Sequence, residues 1–482
     1  MNGAPVSLLW FRQDLRLADN PALLAALQRG GPVIPVYVDD SIQEGDWAPG
    51  AASRWWRHQS LAALDAALRE RGSRLTLRRG TALATLRALC RESGADAVYW
   101  NRRYEPAAMA HDRSVKEALR SQGLIAESRN AALLVEPWQI ATQAGGPFQV
   151  FTPFWRRLLA GADPPPPAPA PARLPAPRSW PESLPLSALQ MLPDVPWYRG
   201  LESSWLPGEA GAARQLQQFL ADRLPAYADL RDRPALAATS RLSPHLHHGE
   251  LGPRQVWHAV LRGAAAAGLG AAEARSGKFL AELGWREFSH HLLYHFPHTT
   301  DAPLRAAFER FPWREDAVAL RAWQRGRTGI PLVDAGMREL WTTGWMHNRV
   351  RMIVASFLVK NLRQSWLHGA RWFWDTLVDA DLASNTQGWQ WSAGCGADAA
   401  PYFRVFNPVT QSRRFDPQGA YLRRWLPELC RLDDRLIHAP ALGDEPTLAA
   451  AGVRLGRDYP LPIVDLHESR GAALAAWQRL RG

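Results

Sequence analysis

Val6-Ser7-Leu8-Leu9-Trp10-Phe11 is apolar at every position but one, and Asp19-Asn20-Pro21 follows within ten residues. A strand with one wet face would alternate apolar and polar side chains. This one does not, so it predicts a strand buried on both sides, as in a parallel sheet. Asp19-Asn20-Pro21 reads as a capped helix start with proline in the first turn, and Gly30-Gly31 as its end. The same grammar recurs downstream. Val33–Val38, Leu75–Leu77, Ala97–Trp100 and Leu124–Glu127 read as further strands, with Ala51–Arg71 and Ala82–Ser93 as helical crossovers. Residues 1–135 are therefore expected to form a doubly wound α/β domain with a parallel sheet. No G-x-G-x-x-G follows the first strand and no G-x-x-x-x-G-K-[ST] occurs. A Rossmann dinucleotide site or a P-loop is not supported.

Beyond this region the composition changes. Between Pro164 and Pro207 stand 13 of the 38 prolines, which resist helix and strand alike and favour extended chain. Residues 136–208 read as an interdomain connector, with Trp180, Trp197 and Trp205 as expected anchors. From residue 209 to 482 the strand signal is gone. Ala212–Leu224, Pro253–Arg262, Lys278–His291 and Leu332–Leu362 carry helical periodicity, which predicts a large all-α domain.

Composition narrows the class. The 482 residues carry a formal charge of +11, which favours a polyanionic partner. No stretch approaches the roughly 20 apolar residues of a spanning helix, and Met1–Leu9 lacks the features of a signal peptide. A cytoplasmic location and no membrane partner are expected. Three scattered cysteines, Cys90, Cys395 and Cys430, provide neither a disulfide framework nor four ligands for an iron–sulfur cluster. The 23 tryptophans are the outlying feature, and ten of them lie between Trp285 and Trp391. Over Arg321–Arg363 eight basic residues stand against two acidic ones. Cations interleaved with flat aromatic side chains suit phosphates and unstacked bases; an aromatic core with a solvated basic face has the same composition.

Longer motifs carry a resemblance. Leu9-Trp10-Phe11-Arg12-Gln13-Asp14-Leu15-Arg16, Thr239-Ser240-Arg241-Leu242-Ser243, Glu282-Leu283-Gly284-Trp285-Arg286-Glu287-Phe288 and Gly344 through Met352 occur in order. So does the block from Asp379 through Asn385 and Trp389-Gln390-Trp391 to Phe406-Asn407-Pro408. This set resembles the photolyase/cryptochrome family, most closely its class I-type cyclobutane pyrimidine dimer (CPD) photolyases. The resemblance implies an antenna-binding α/β domain, a connector and a helical FAD domain, with FAD reduced (FADH⁻) in the active form.

The resemblance also distributes roles. Tyr227, Thr239, Ser240, Arg241, Leu242, Ser243, Phe279, Glu282, Arg286, Asn348, Arg351, Asp379, Asp381 and Asn385 fall at FAD-contacting positions. Phe279 stands where Trp is frequent. Thr239–Ser243, with Pro244 behind it, offers hydroxyls, N–H groups and a guanidinium suited to a pyrophosphate. One of Asp379 and Asp381 is expected to pair with Arg351. Asn385 aligns with the residue facing flavin N5, where its amide either donates or accepts. Trp389, Trp366 and Trp313 match the electron-transfer chain from flavin to surface.

The lesion pocket maps to Glu282, Trp285, Asn348, Met352 and Trp391. Trp285 and Trp391 would flank the dimer and Glu282 would bond the base edge. Neither Asn348 nor Met352 is the His expected of a (6-4) photolyase. Arg231, Trp285, Arg349, Arg404 and Gln411 are the DNA-contact candidates, Arg404 following Pro401-Tyr402-Phe403. Asn101, Tyr104 and Glu105 resemble an N-x-x-Y-E element at an antenna, with methenyltetrahydrofolate as the first expectation and a deazaflavin, a second flavin or none as alternatives. UV-damaged DNA is the expected partner, with no metal, no obligate protein partner and a monomeric state. The rival function is a cryptochrome-like blue-light photoreceptor without repair.

Overall fold

The computed structural model describes residues 4–40, 45–161, 163–399 and 403–481. Five parallel strands, β1 (Val6–Phe11), β2 (Val33–Asp39), β3 (Thr76–Arg79), β4 (Ala95–Asn101) and β5 (Ile125–Arg129), lie in the order β3-β2-β1-β4-β5. The order reverses direction between β1 and β4, the mark of a doubly wound sheet. Helices α1 (Pro21–Gln28), α2 (Ala51–Arg69), α3 (Ala82–Ser93) and α4 (Pro106–Arg120) make the crossovers. The Asn20 side chain accepts from Leu23 N–H at the start of α1, as its cap position requires. Two apolar clusters, one on each face of the sheet, explain why the strands are apolar throughout: Leu9, Phe11 and Tyr37 face one side, Leu8, Trp10 and Val36 the other.

The family-like opening motif is mostly framework. Arg12 forms a bidentate pair with Asp112 of α4. Arg16 is buried and donates to the carbonyls of Gly249, Asp19 and Ala131.

The proline-rich segment is pinned to this sheet domain. Val33 N–H donates to Pro175 O, Leu174 N–H to Arg71 O and Leu184 N–H to Leu77 O. Leu174 and Leu189 enter the core, Trp180 packs against the other cluster, and Trp205 meets Trp56 edge-on at 5.4 Å. Trp197 is 37% exposed and is not one of the anchors.

The described residues group into two compact units. The first comprises Met1–Leu224, Ser240–Pro297 and Val378–Ala383, so the sheet domain shares a unit with several helices. These include α5 (Phe151–Gly161) and the helices Pro253–Ala266 and Lys278–His295. The second comprises Pro225–Thr239, His298–Leu377 and Ser384–Gly482 and is helical among its described residues. The run expected over Leu332–Leu362 is broken there. Gly344, at φ 65°, ends the helix Pro331–Thr343, and His347 caps a new one, Asn348–Ser356.

Candidate active site

In the first unit, the helix Lys278–His295 carries four of the expected residues, Phe279, Glu282, Trp285 and Arg286, and also His290, which the motifs did not single out. Phe279, Glu282, Arg286 and His290 recur every three or four positions and so share one stripe. Phe279 is buried against Phe219 at 4.4 Å. Arg286 donates to Ala132 O at 2.6 Å. Asp381 lies 3.4 Å from His290 and 3.9 Å from His247. Burial alone would push its carboxyl up, but His290, with His247 and Arg286, outweighs burial and holds Asp381 below the usual carboxylate range. Asp379 accepts from Ser243 Oγ at 2.6 Å. Ser243 opens a one-turn helix, Ser243–His247, and the residue before it but one, Arg241, is in the left-handed region at φ 52°. The Arg241 guanidinium sits 4.1 Å over the Trp205 ring. Connector and phosphate-type segment are thus coupled.

Trp285, three residues on from Glu282 along Lys278–His295, is half-buried and stacks on Phe151. Beside it Glu287 is buried and accepts from the N–H groups of Leu134 and Val135. Burial pushes its carboxyl up to about 7 against the pull of Arg286.

Two small cavities lie in the same unit. One, about 30 Å³, is lined by Arg103, Glu105, His247, Arg286, His290 and Asp381 among others. The other, about 40 Å³, opens at the carboxyl ends of β1 and β2 between Trp10, Arg12, Asp40, Arg57 and His111. The Trp10 indole N–H is buried and unpartnered there. Asn101 lines neither. Its amide donates to Asp14 and Asn20 and accepts from Ala22 N–H, a saturated internal network that ties β4 to the start of α1. Of the expected antenna pair, Asn101 and Glu105, Glu105 reaches a cavity; Tyr104 lines the same cavity and donates its hydroxyl to Glu136 at 2.7 Å.

In the second unit, Asn348 is exposed and Met352, one turn on, is half-buried, so both lie on one face of Asn348–Ser356. Between them Arg349 donates to Asp232 Oδ2 at 2.6 Å and stacks over Phe415 at 4.6 Å. His347 accepts from Arg349 N–H through Nδ1. Burial pushes its imidazole down to about 4, so it is neutral and acts as an acceptor. Arg351 donates to Met346 O, and Arg231 lies over the buried Tyr227 ring at 5.3 Å.

Asn385 and Trp389 share a face of the helix Leu382–Ala393. Asn385 Nδ2 donates to Ala370 O at 2.9 Å. A carbonyl only accepts, so this bond fixes the orientation of the amide, which keeps Oδ1 as an acceptor and its second N–H as a donor. Trp389 is 2% exposed, with Phe373 5.0 Å and Trp323 6.1 Å away, both edge-on. Trp366 is also buried, at the start of the helix Trp366–Thr376, whereas Trp313 is half-exposed beside Phe311. Trp391 is half-buried. Between the two tryptophans, wholly buried Gln390 bonds the carbonyls of Thr299 and Ala302 and the Leu304 N–H. It pins the helix, a role the motif gave no sign of. Arg404 is exposed and Gln411 half-buried on the helix Pro408–Phe415; Pro401 and Tyr402 lie outside the described residues.

Comparison with known proteins identifies the family of the chain. Residues 7–172 match the family described as DNA photolyase, and residues 279–479 the FAD binding domain of DNA photolyase. The chain is 50% identical to the deoxyribodipyrimidine photo-lyase of Agrobacterium fabrum, over 99% of this chain and 98% of that one. It is 42% identical to cryptochrome-1 of Arabidopsis thaliana, over 96% of this chain and 69% of that one. A solved bacterial class III photolyase from Agrobacterium tumefaciens superimposes with a TM-score of 0.95 at 49% identity, covering 100% of this chain and 98% of that one. With a parallel-sheet domain, a helical flavin-type domain and whole-length identity of one residue in two, the chain belongs to the DNA photolyase/cryptochrome family.

Proposed function

We propose that the protein is a light-dependent DNA repair lyase that splits cyclobutane pyrimidine dimers in UV-damaged DNA with FAD. The observation that carries this is the intact lesion set on a chain half identical to a photo-lyase throughout: Glu282, Trp285, Asn348, Met352 and Trp391 are all present, each with some exposure. The residues fit a flavin. Asn385 is held by Ala370 O and retains Oδ1 as an acceptor for an N5–H, and Asp381 is held ionised in a half-buried position. When bound, reduced FAD supplies the photochemical electron that opens the cyclobutane ring and then recovers it.

The side chains do the remaining work. Trp285 and Trp391 offer flat apolar planes to a flipped-out dimer, which costs a few kcal/mol to extrude and less where pairing is already poor. Glu282 bonds the base edge, Met352 packs on the dimer, and Asn348 contacts flavin and base. Tyr227, Thr239–Ser243, Phe279, Arg286, Arg351 and Asp379 hold the cofactor. Arg231, Arg349, Arg404 and Gln411 meet the DNA backbone. Trp389, Trp366 and Trp313, graded from buried to half-exposed, carry electrons inward to the flavin from solvent. The division into residues 1–135, 136–208 and 209–482, a monomeric state and a cytoplasmic location belong to the same reading. Among the described residues no helix is long and apolar enough to cross a membrane.

On subclass, the class I-type motifs are outweighed by the class III structure at 49% identity, and class III is the reading we adopt. For the antenna, Glu105 beside its cavity supports methenyltetrahydrofolate. The crevice at the carboxyl ends of β1 and β2 favours a second reading, a deazaflavin there, because Trp10 offers an unpartnered donor at the topological switch point. The test of substrate class is illumination of the reduced protein with matched oligonucleotides bearing a thymine CPD or a (6-4) product. Loss of the CPD alone supports the proposal; loss of the (6-4) product alone, or of neither, overturns it.

A further inference from the structure

A tryptophan that stacks on a lesion needs one free face and a fixed plane, and a half-exposed indole on a helix has neither by default. Trp285 is given both by α5. The Phe151 ring lies parallel to it, with centroids 3.9 Å apart and planes 8° apart. Phe288, from Trp285's own helix, meets the indole edge-on at 5.9 Å and 72°. Phe151 is itself 8% exposed and held from behind. Trp155, one turn along α5, lies nearly parallel to Phe151, with planes 11° apart and centroids 6.2 Å apart, and Phe288 contacts Phe151 edge-on. Trp155 is locked in turn: a Cβ on Gly284 would fall 2.4 Å from its ring, and Trp257 abuts it at 6.4 Å and 76°. The absence of a side chain at Gly284, directly before Trp285, therefore seats the aromatic column that backs Trp285.

We propose that Phe151 is a positioning residue for lesion recognition: it seals one face of Trp285 and sets the plane of the other. The proposal rests on the reading that Trp285 stacks on the dimer. Sealing one face allows a single stacking mode. A side chain of equal volume without a flat face would fill the space but release the indole to tilt. Parallel aromatic pairs exceed their area burial by an amount that corresponds to about a two- to tenfold effect on an equilibrium.

The experiment measures, in the dark, the ratio of affinities for a thymine-dimer oligonucleotide and its undamaged counterpart. Phe151→Leu is expected to lower that ratio by about two- to tenfold, with FAD content and the rate of flavin photoreduction at wild-type values. Phe151→Tyr, which keeps the plane, is expected to retain it. In a Trp285→Ala background Phe151→Leu is expected to change nothing further. Should Phe151→Leu not accumulate as a flavoprotein, Phe151→Met gives the same readout. A wild-type ratio in Phe151→Leu while Trp285→Ala lowers it overturns the role of Phe151 alone. Equal loss in Phe151→Tyr and Phe151→Leu does so as well. A wild-type ratio in Trp285→Ala overturns the stacking reading and this proposal with it.

Discussion

Gly369→Ala adds one methyl group against the tryptophan assigned next to the flavin. Gly369 is interior to the helix Trp366–Thr376, and a Cβ there would lie 2.1, 2.3 and 2.5 Å from three atoms of the Trp389 ring. Carbon atoms rest at about 3.5–4.0 Å, so the indole would have to retreat by more than about 1 Å. Behind it stand Phe373 and the wholly buried Trp323, which leave no space. Overpacking of this kind costs about 1–3 kcal/mol, and a contact this short belongs at the upper end. Helix propensity returns about 1 kcal/mol for Gly to Ala. The net expectation is a loss of about 2 kcal/mol, or about 4–8 °C in Tm for a unit of this size. Gly388→Ala is the matched control. It is also helix-interior, is exposed, and would meet nothing within 4 Å. It is expected to raise stability by up to about 1 kcal/mol. Calorimetry of both holoproteins gives the signs, and flavin photoreduction under blue light gives the consequence: slower in Gly369→Ala, unchanged in Gly388→Ala. Equal stability of the two variants, or a wild-type photoreduction rate in Gly369→Ala, would refute the packing argument.

The remaining predictions concern different parts of the molecule. Trp313→Phe is expected to slow photoreduction while leaving repair by prereduced protein near wild type, as monitored by flavin absorbance and thymine recovery; equal loss of both would contradict the assigned chain. Glu287 is protonated more readily folded, at about 7, than its ordinary value of 4.5. The folded state therefore binds more protons in that window, and stability falls as pH rises from 4.5 through 7 by roughly 3 kcal/mol. Glu287→Gln should remove that slope in urea titrations at pH 5 and pH 7.5; an unchanged slope would show that the group is ordinary. Arg349→Gln is expected to weaken binding to damaged and undamaged DNA alike and to reduce the salt slope by about one. A loss confined to the damaged duplex would place Arg349 at the lesion rather than the backbone.

How much was legible in the sequence follows from what each residue touches. The strands were legible because both faces of the sheet are covered, so Leu8 and Leu9 are equally apolar. The crossover α4 carries no clear signal in the sequence, although Pro106 marks its first turn. Its inner positions, Asp112 among them, are partly polar because they serve the Arg12 pair, which blurs the apolar stripe. Asn101 misled for a related reason: a polar residue at a strand end reads as a ligand contact, yet its amide is spent entirely on Asp14, Asn20 and Ala22. Phe151 gave no signal at all. A phenylalanine in the middle of Val150-Phe151-Thr152-Pro153-Phe154 is unexceptional until α5 brings it onto Trp285. The carboxylates were legible as a set, but the histidines that hold Asp381 ionised come from two separate helices and no motif linked them.

Repair itself is the most direct measurement. The reduced protein is mixed with an excess of thymine-dimer oligonucleotide without oxygen, one half is illuminated with blue light, and restored thymine is counted beside the flavin spectrum. The account predicts several dimers split per protein in the light, none in the dark, and no reduced flavin consumed. No light-dependent restoration, or flavin oxidised in step with each dimer, would contradict it.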